Sequence, residues 1–230
     1  MNNIYGIVLA GGSGTRMKSQ KPKQFMKLHG CTLLEHSVKL FHDWGFFKSI
    51  IIVSNPDFIQ DTESNLGKYL LPNDRIVEGG ETRHESCLKG LEAIPYDDND
   101  VIIFHDCARP FFLKTELHSV ANSAVMHGVA SIAENASDTV VLSNQNKVES
   151  ILNRESIYLI KTPQAIHTSI LKNLMKQTLE PHPTDLCSWA KTIGVESFLI
   201  RSNPFNMKIT KEGDLEIAEK FYPLFLQLQS

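Results

Sequence analysis

Residues 5–16 read YGIVLAGGSGTR, and Pro22-Lys23-Gln24-Phe25 stands shortly after them. The apolar run Ile4–Leu9 predicts a buried strand, which Ala10, Gly11, Gly12, Ser13 and Gly14 bring to an end. A glycine-rich loop directly after a strand lets backbone N–H groups approach an anion closely. Arg16 and Lys23 add cations where phosphate oxygens would sit. Neither common glycine signature fits. The dinucleotide fingerprint needs a glycine where Met17 stands, and no G-x-x-x-x-G-K-[ST] string occurs. The plainer alternative is a tight turn between strand and helix, and the paired basic residues count against it.

Working outward, the chain keeps alternating strand and helix, so the fold class is α/β. Leu33–Trp44 predicts a helix, with Thr32 and Glu35 spaced as a capping box. Ile50–Val53 predicts a second strand, Phe58–Leu70 a helix and Arg75–Val77 a short third strand. That strand runs into Gly79-Gly80-Glu81-Thr82-Arg83, and a helix over Arg83–Ala93 would hold Arg83 and Ser86 in its first turn. Free N–H groups and the helix dipole favour phosphate or base contacts there; a plain turn at Gly79-Gly80 is the alternative. Val101–Phe104 is a further buried strand and ends in His105-Asp106-Cys107-Ala108-Arg109-Pro110.

The second half is less regular. Leu113–Val125 predicts a helix and Gly128–Ile132 leads into a strand. Asn135–Arg154 carries two short extended stretches around a polar turn, the pattern of a β-hairpin that interrupts the alternation. It is either a docking arm or a solvated excursion. Thr162-Pro163-Gln164-Ala165 opens a segment that turns helical over Ile170–Thr178, and Asp185 either caps the next helix or faces a cleft. Glu196–Ile200 predicts a strand, Asn206–Thr210 an extended piece and Glu212–Phe221 the final helix.

The 230 residues suit one domain, residues 1–230, with the hairpin as an appendage at 135–160. A net charge of −3, with no basic tract beyond Lys18–Lys27, argues against a nucleic-acid partner but allows a locally basic nucleotide cleft. Cys31, Cys87, Cys107 and Cys187 are widely spaced, which points to reduced thiols in the cytoplasm rather than a zinc site or disulfide framework. Met1-Asn2-Asn3 leads straight into a strand, so no signal peptide is expected, and no apolar run reaches the ~20 residues of a membrane span.

The candidate site therefore combines two glycine loops with Arg16, Lys23, Arg83, Asp106, Arg109 and Lys208. Open parallel sheets bind ligands at the carboxyl ends of their strands. Asp106 sits at such an end, and magnesium on a nucleoside triphosphate takes one or two carboxylates plus phosphate oxygens. A salt bridge or a helix cap is the alternative for Asp106. His105 either orients the loop or packs in the core. No H-E-x-x-H string or G-x-S-x-G elbow is present. What remains is phosphate chemistry, and a nucleotidyltransferase needs only positioning and charge stabilisation.

These strings, LAGGSGTRM (9–17), PKQF (22–25), GGETR (79–83), HDCARP (105–110), Asp138-Thr139, Thr162-Pro163-Gln164, Thr184-Asp185 and NMKIT (206–210), run through almost the whole chain in one order. Together they resemble the CTP-dependent sugar-alcohol-phosphate cytidylyltransferases. The resemblance implies a Rossmann-like, GT-A-like three-layer αβα sandwich with a mostly parallel central sheet and a protruding β-arm. It implies CMP transfer from CTP to a polyol phosphate, with release of pyrophosphate and with Mg²⁺ as cofactor. By the same likeness Ala10, Gly11, Gly12 and Gly14 bind CTP, and Arg16, Lys23 and Lys208 are catalytic. Gly80, Glu81, Arg83 and Ser86 form the cytosine and ribose neighbourhood. Asp106 is the metal ligand with Arg109 beside it. Thr139 and Arg154, supplied by the other subunit of a homodimer, hold the acceptor phosphate, and Asp185 contacts an acceptor hydroxyl.

The family has two branches, one making 4-diphosphocytidyl-2-C-methyl-D-erythritol for isoprenoid synthesis and one making CDP-ribitol for cell-surface polymers. Ser137-Asp138-Thr139-Val140-Val141-Leu142 lacks the basic residues that usually flank the Asp-Thr pair in the first branch. Ribitol 5-phosphate is accordingly the expected acceptor, with methylerythritol 4-phosphate as the alternative. A hexose-1-phosphate nucleotidyltransferase and a non-catalytic nucleotide-binding module are the rival classes. Arg16, Lys23, Asp106 and Lys208 together speak against the module.

Overall fold

The structure is a computed structural model that describes residues 2–12, 22–177 and 181–229. The order of elements is β1 (Ile4–Ala10), β2 (Lys27–Leu28), β3 (Cys31–Thr32), α1 (Leu33–Trp44), β4 (Phe47–Ser54), α2 (Ile59–Leu66), β5 (Arg75–Glu78), α3 (Arg83–Glu92), β6 (Val101–Asp106), α4 (Lys114–His127), β7 (Val129–Asn135), β8 (Val141–Asn144), β9 (Lys147–Ile151), β10 (Tyr158–His167), α5 (Thr168–Leu174), α6 (Leu186–Lys191), β11 (Phe198–Arg201) and α7 (Glu212–Gln229). Among the described residues one sheet holds seven strands in the order β11-β7-β10-β6-β1-β4-β5.

The central strands are apolar without a break because both faces of the sheet are covered. Successive side chains alternate between two cores. Val8, Ile52 and Ile103 pack with Val38, Phe41, Leu117 and Val120 of α1 and α4 on one face. Ile7, Ile51 and Ile102 pack with Leu91, Leu171 and Trp189 of α3, α5 and α6 on the other. The result is a three-layer αβα sandwich, the Rossmann-like nucleotidyltransferase architecture. A third cluster ties α7 to the body through Phe225, Phe111 and Leu28. None of the described helices is long and apolar enough to cross a membrane.

The sheet is mixed. β1 pairs in parallel with β4 and β6, as does β5 with β4 and β11 with β7, whereas β10 runs antiparallel between β6 and β7. The segment from Thr162 does lead into a helix, but it is itself the later part of this ten-residue strand, which the sequence did not show. The helix expected over Ile170–Thr178 begins at Thr168 and ends at Leu174. Pro163 and the polar Lys161, Thr162 and Gln164 disguise the strand, because proline gives no ladder hydrogen bond and settles at irregularities. The register shows such a site. Ile160 pairs with Ala133 and Gln164 with Ser131, so three residues of β10 stand against Ile132 alone.

The final helix also exceeds its predicted end at Phe221 and runs through Pro223 to Gln229. Burial of Phe225 against Phe111, with ring centroids 5.1 Å apart, is the packing that holds the added turns.

The hairpin expected at 135–160 is β8 paired with β9. The chain leaves the sheet at Asn135 and returns at Tyr158, which pair with one another. The Asn135 side-chain amide donates to the Arg154 carbonyl at 3.2 Å and closes the base of the excursion.

Candidate active site

Parallel pairing brings the carboxyl ends of four strands level. Ala10 pairs with Ser54, Ser54 with Glu78, and Leu9 with Asp106. The loops leaving those ends form one large cleft, whose walls include Gly11, Gly12, Lys23, Gly80, Arg83 and Asp106, together with Lys208. This is the crevice where open α/β sheets take their ligands.

The two glycine loops meet across Ser86. The Gly80 N–H donates to Ser86 Oγ at 3.1 Å. A Cβ at Gly79 would come within 2.9 Å of that oxygen, and one at Gly80 within 2.2 Å of Glu85 Cβ, so both positions exclude a side chain. Behind them α3 starts on a full capping box: Thr82 Oγ1 accepts from the Glu85 N–H, and Glu85 Oε2 accepts from the Thr82 N–H. That box, which the sequence reading passed over, fixes the turn from which Arg83 projects. Lys23 lies along the first loop, where a Cβ at Gly12 would meet its Cε at 3.2 Å.

Asp106 is the charge centre of the cleft. Its side chain is 13% exposed, and it accepts from Arg83 Nε at 3.1 Å and from Lys208 Nζ at 2.7 Å. Burial pushes its carboxyl up, but Arg83 and Lys208, with Arg109 further off, outweigh burial and hold it well below the usual carboxylate range. Burial works against the Arg83 charge as well, and Asp106 more than restores it. One carboxylate between two cations leaves a net positive rim, suited to a polyphosphate.

Magnesium on a nucleotide takes few protein ligands. Asp106 offers a carboxylate whose two oxygens have about four lone-pair sites between them, and Arg83 and Lys208 engage one each. The donor chemistry therefore fits a single-carboxylate site. No cluster of three or more His, Cys, Asp or Glu able to cage a metal by itself occurs among the described residues.

The other candidates are placed less uniformly. Gly14 and Arg16 lie outside the described residues. Arg109 turns from the cleft and donates from Nη1 to the Asn206 carbonyl at 3.4 Å. Asp185 caps α6, accepting from the Ser188 N–H at 2.8 Å, and it also accepts from Gln164 Nε2 at 3.1 Å. Glu81 lines the cleft, while Thr139 and Arg154 are exposed on the hairpin side. Arg154 Nη1 donates to the Ser137 carbonyl. His105 is fully buried, with its ring against Phe112 and Nε2 at 3.0 Å from the Arg109 carbonyl. Burial pushes its imidazole down to about 3. It orients the Asp106–Arg109 turn and stays neutral.

Three residues escaped the sequence reading. Thr162 Oγ1 accepts from the Asp106 N–H at 3.1 Å and so ties β10 to the charge centre. Asn206 is fully buried beneath Lys208. Gln24 is fully buried with neither amide atom hydrogen-bonded among the described residues. The signals were present in the strings around Lys23, Pro163 and Lys208, but nothing in sequence says which polar side chains turn inward.

Fold and site define a nucleotidyltransferase, and the family likeness makes it one that uses CTP. A family model described as IspD: 2-C-methyl-D-erythritol 4-phosphate cytidylyltransferase matches residues 4–223, and the chain belongs to that family. A protein of that name from Leptospira borgpetersenii serovar Hardjo-bovis (strain JB197) is 45% identical over 226 residues, covering 98% of this chain and 96% of its own. A second, from Leptospira interrogans serovar copenhageni, is 45% identical over 227 residues, covering 99% and 95%. The crystal structure of 4-diphosphocytidyl-2C-methyl-D-erythritol synthase from Anaerococcus prevotii matches with a TM-score of 0.81 at 25% identity, covering 96% of both chains.

These likenesses overturn ribitol 5-phosphate as the acceptor, since the family and these relatives are named for methylerythritol. The stretch Ser137–Leu142, whose missing basic residues suggested ribitol, lies outside the cleft of its own chain, and Leu142 is 52% exposed on β8.

Proposed function

We propose that this chain transfers CMP from CTP to the phosphate of 2-C-methyl-D-erythritol 4-phosphate, releasing pyrophosphate. The observation that carries the chemistry is Asp106 held between Arg83 and Lys208 at the mouth of two glycine loops. The acceptor rests on the family likeness. An oxygen of the acceptor phosphate attacks the α-phosphorus of CTP in line. A new P–O bond forms as the bond to the β-phosphate bridging oxygen breaks, and pyrophosphate leaves with that electron pair. No covalent enzyme intermediate is needed.

In this reading the backbone of Ala10–Gly14 cradles the triphosphate. Lys23 and Arg16 neutralise charge on the pentavalent phosphorus and the departing pyrophosphate. Lys208 draws the acceptor phosphate to the α-phosphorus and screens their mutual repulsion. Gly80, Glu81, Arg83 and Ser86 receive the nucleoside. Asp106 would hold magnesium, which when bound supplies charge neutralisation for the triphosphate. Arg109 supports Lys208 through the Asn206 carbonyl, and Asp185 holds the wall beneath the acceptor.

The hairpin is assigned to a homodimer, in which Thr139 and Arg154 of one protomer reach the acceptor phosphate in its partner. Val148 and Ile151, 64% and 71% exposed on β9, are the apolar surface such a contact would cover. The whole chain then acts as one catalytic domain with an arm, and small molecules in the cytoplasm are its substrates.

The test is pyrophosphate release from CTP with magnesium, offered methylerythritol 4-phosphate and ribitol 5-phosphate separately. Fast release with the first alone is expected. Equal or faster release with ribitol 5-phosphate would refute the acceptor, and CTP binding without release in either case would refute the transfer.

A further inference from the structure

Lysine is costly to bury unless its ammonium is paired, because burial strips its hydration. Lys161 on β10 is buried nevertheless, with 9% of its surface exposed. Its Nζ lies 2.6 Å from Glu134 Oε2 on the neighbouring strand β7 and donates to the Asn206 carbonyl at 2.8 Å. It lines no part of the cleft.

That carbonyl is where several restraints meet. Arg109 Nη1 donates to the same oxygen, and the Asn206 side-chain amide donates to the Thr162 carbonyl at 3.0 Å. Two residues further on Lys208 reaches Asp106, and then the Ile209 N–H donates to the Ala108 carbonyl at 2.8 Å. The segment from Asn206 to Ile209 has no strand ladder of its own. Its position depends on these contacts at its two ends. The register irregularity of β10 includes Lys161 and Thr162, and these are the residues that grip Asn206.

We propose that Lys161, backed by Glu134, is a positioning residue for cytidylyl transfer: by holding the Asn206 carbonyl it fixes the segment that sets Lys208 against Asp106. The effect on rate rests on the role proposed for Lys208; the effect on the segment's position does not. A cation misplaced by about 1 Å can cost on the order of 100-fold in rate. Glu134, with a side chain 47% exposed, stays hydrated when its partner is removed, so neutralising Lys161 strands no buried carboxylate.

The experiment has two arms. In the first, amide hydrogen exchange is compared between wild type and Lys161→Met. Faster exchange at Met207–Ile209, by at least about tenfold, with β1 and β6 unchanged, is expected. Unchanged exchange there overturns the proposal whatever the substrate. In the second, steady-state kinetics use CTP and methylerythritol 4-phosphate. Lys161→Met should lower kcat on the order of 10- to 100-fold with the KM for CTP held, and Lys161→Arg should restore most of it. In a Lys208→Ala background Lys161→Met should change the rate less than about twofold, because the two act as one unit. A full additional loss in that background, or wild-type kcat in the single variant, overturns the proposal. Absence of wild-type turnover would count against the proposed function and leave the exchange result to decide the lysine. If Lys161→Met does not fold, Glu134→Gln replaces it in both arms, with a smaller change of the same sign expected and an unchanged kcat and exchange overturning the proposal.

Discussion

The cleft and the hairpin arm are built on opposite terms. At the cleft, Asp106 is bound by Arg83, Lys208 and, through its backbone, Thr162, and each partner comes from a different element. On the arm, Val148 and Ile151 face outward, and no residue of β8 or β9 belongs to any of the three apolar clusters among the described residues. The cleft is therefore pre-organised by its own chain, as electrostatic catalysis requires. The arm leaves Val148 and Ile151 uncovered by its own chain, and these are the residues that the proposed dimer would cover.

The sharpest way to break this contrast is to remove one of the two cations that hold Asp106. Lys208→Ala should lower kcat on the order of 100- to 1000-fold, by analogy with the loss of one oxyanion donor. Pyrophosphate release measures it, and a loss under tenfold would mean that Lys208 is not aimed at the reacting phosphates. On the arm, Ile151→Asp should convert a dimer to a monomer in sedimentation while monomer stability moves by no more than about 0.5 kcal/mol, the usual range for an exposed site. A clear drop in monomer stability would show that the arm is held by its own chain after all.

Acid denaturation separates the regions further. The folded pKa of Asp106 is depressed, so its stabilisation is complete above the unfolded value of about 3.9 and is lost as pH falls below it. In that window the unfolded chain takes up a proton that the folded one refuses, worth about 1.4 kcal/mol per pH unit. Asp106→Asn should flatten the stability profile below about pH 4 by that amount, and the arm variant should leave it unchanged. An Asp106→Asn profile parallel to wild type would show that Arg83 and Lys208 do not hold the charge. The smallest effect belongs to Thr82→Ala, which removes one half of the α3 capping box and should cost about 1 kcal/mol in urea denaturation. A null result would place the fixing of Arg83 elsewhere.

Much of this was legible in the residues, and for physical reasons. Ile4–Leu9, Ile50–Val53 and Val101–Phe104 read as strands because a doubly covered parallel strand has no polar face to confuse the pattern. Thr32 and Glu35 announced the start of α1, and both halves of the box form. The first glycine loop and Asp106 stood out because each follows such a strand directly, whereas the second glycine loop follows the edge strand β5, which is only partly buried. β10 was hidden because Lys161, Thr162 and Gln164 are buried polar side chains in its middle, and only their partners reveal why. Gln164 Nε2 reaches Ser131 and Asp185, and Thr162 reaches His105. Lys161 escaped for the same reason, since a sequence shows a lysine but not the carbonyl it holds. The acceptor was misjudged because the missing basic residues around Asp138-Thr139 were taken as the mark of the ribitol branch.

One strand carries both regions. β10 begins at Tyr158, where the arm rejoins the sheet, and reaches Lys161 three residues on, roughly 10 Å of extended chain. In a pleated strand a slip of one residue reverses every side chain. At Lys161 it would carry the ammonium away from Asn206, and at Tyr158 it would misalign the root of the arm. The root of the arm and the lysine that holds the Asn206 carbonyl thus lie three residues apart on one strand, so the assembly and the transfer proposed for this chain would both answer to the alignment of β10.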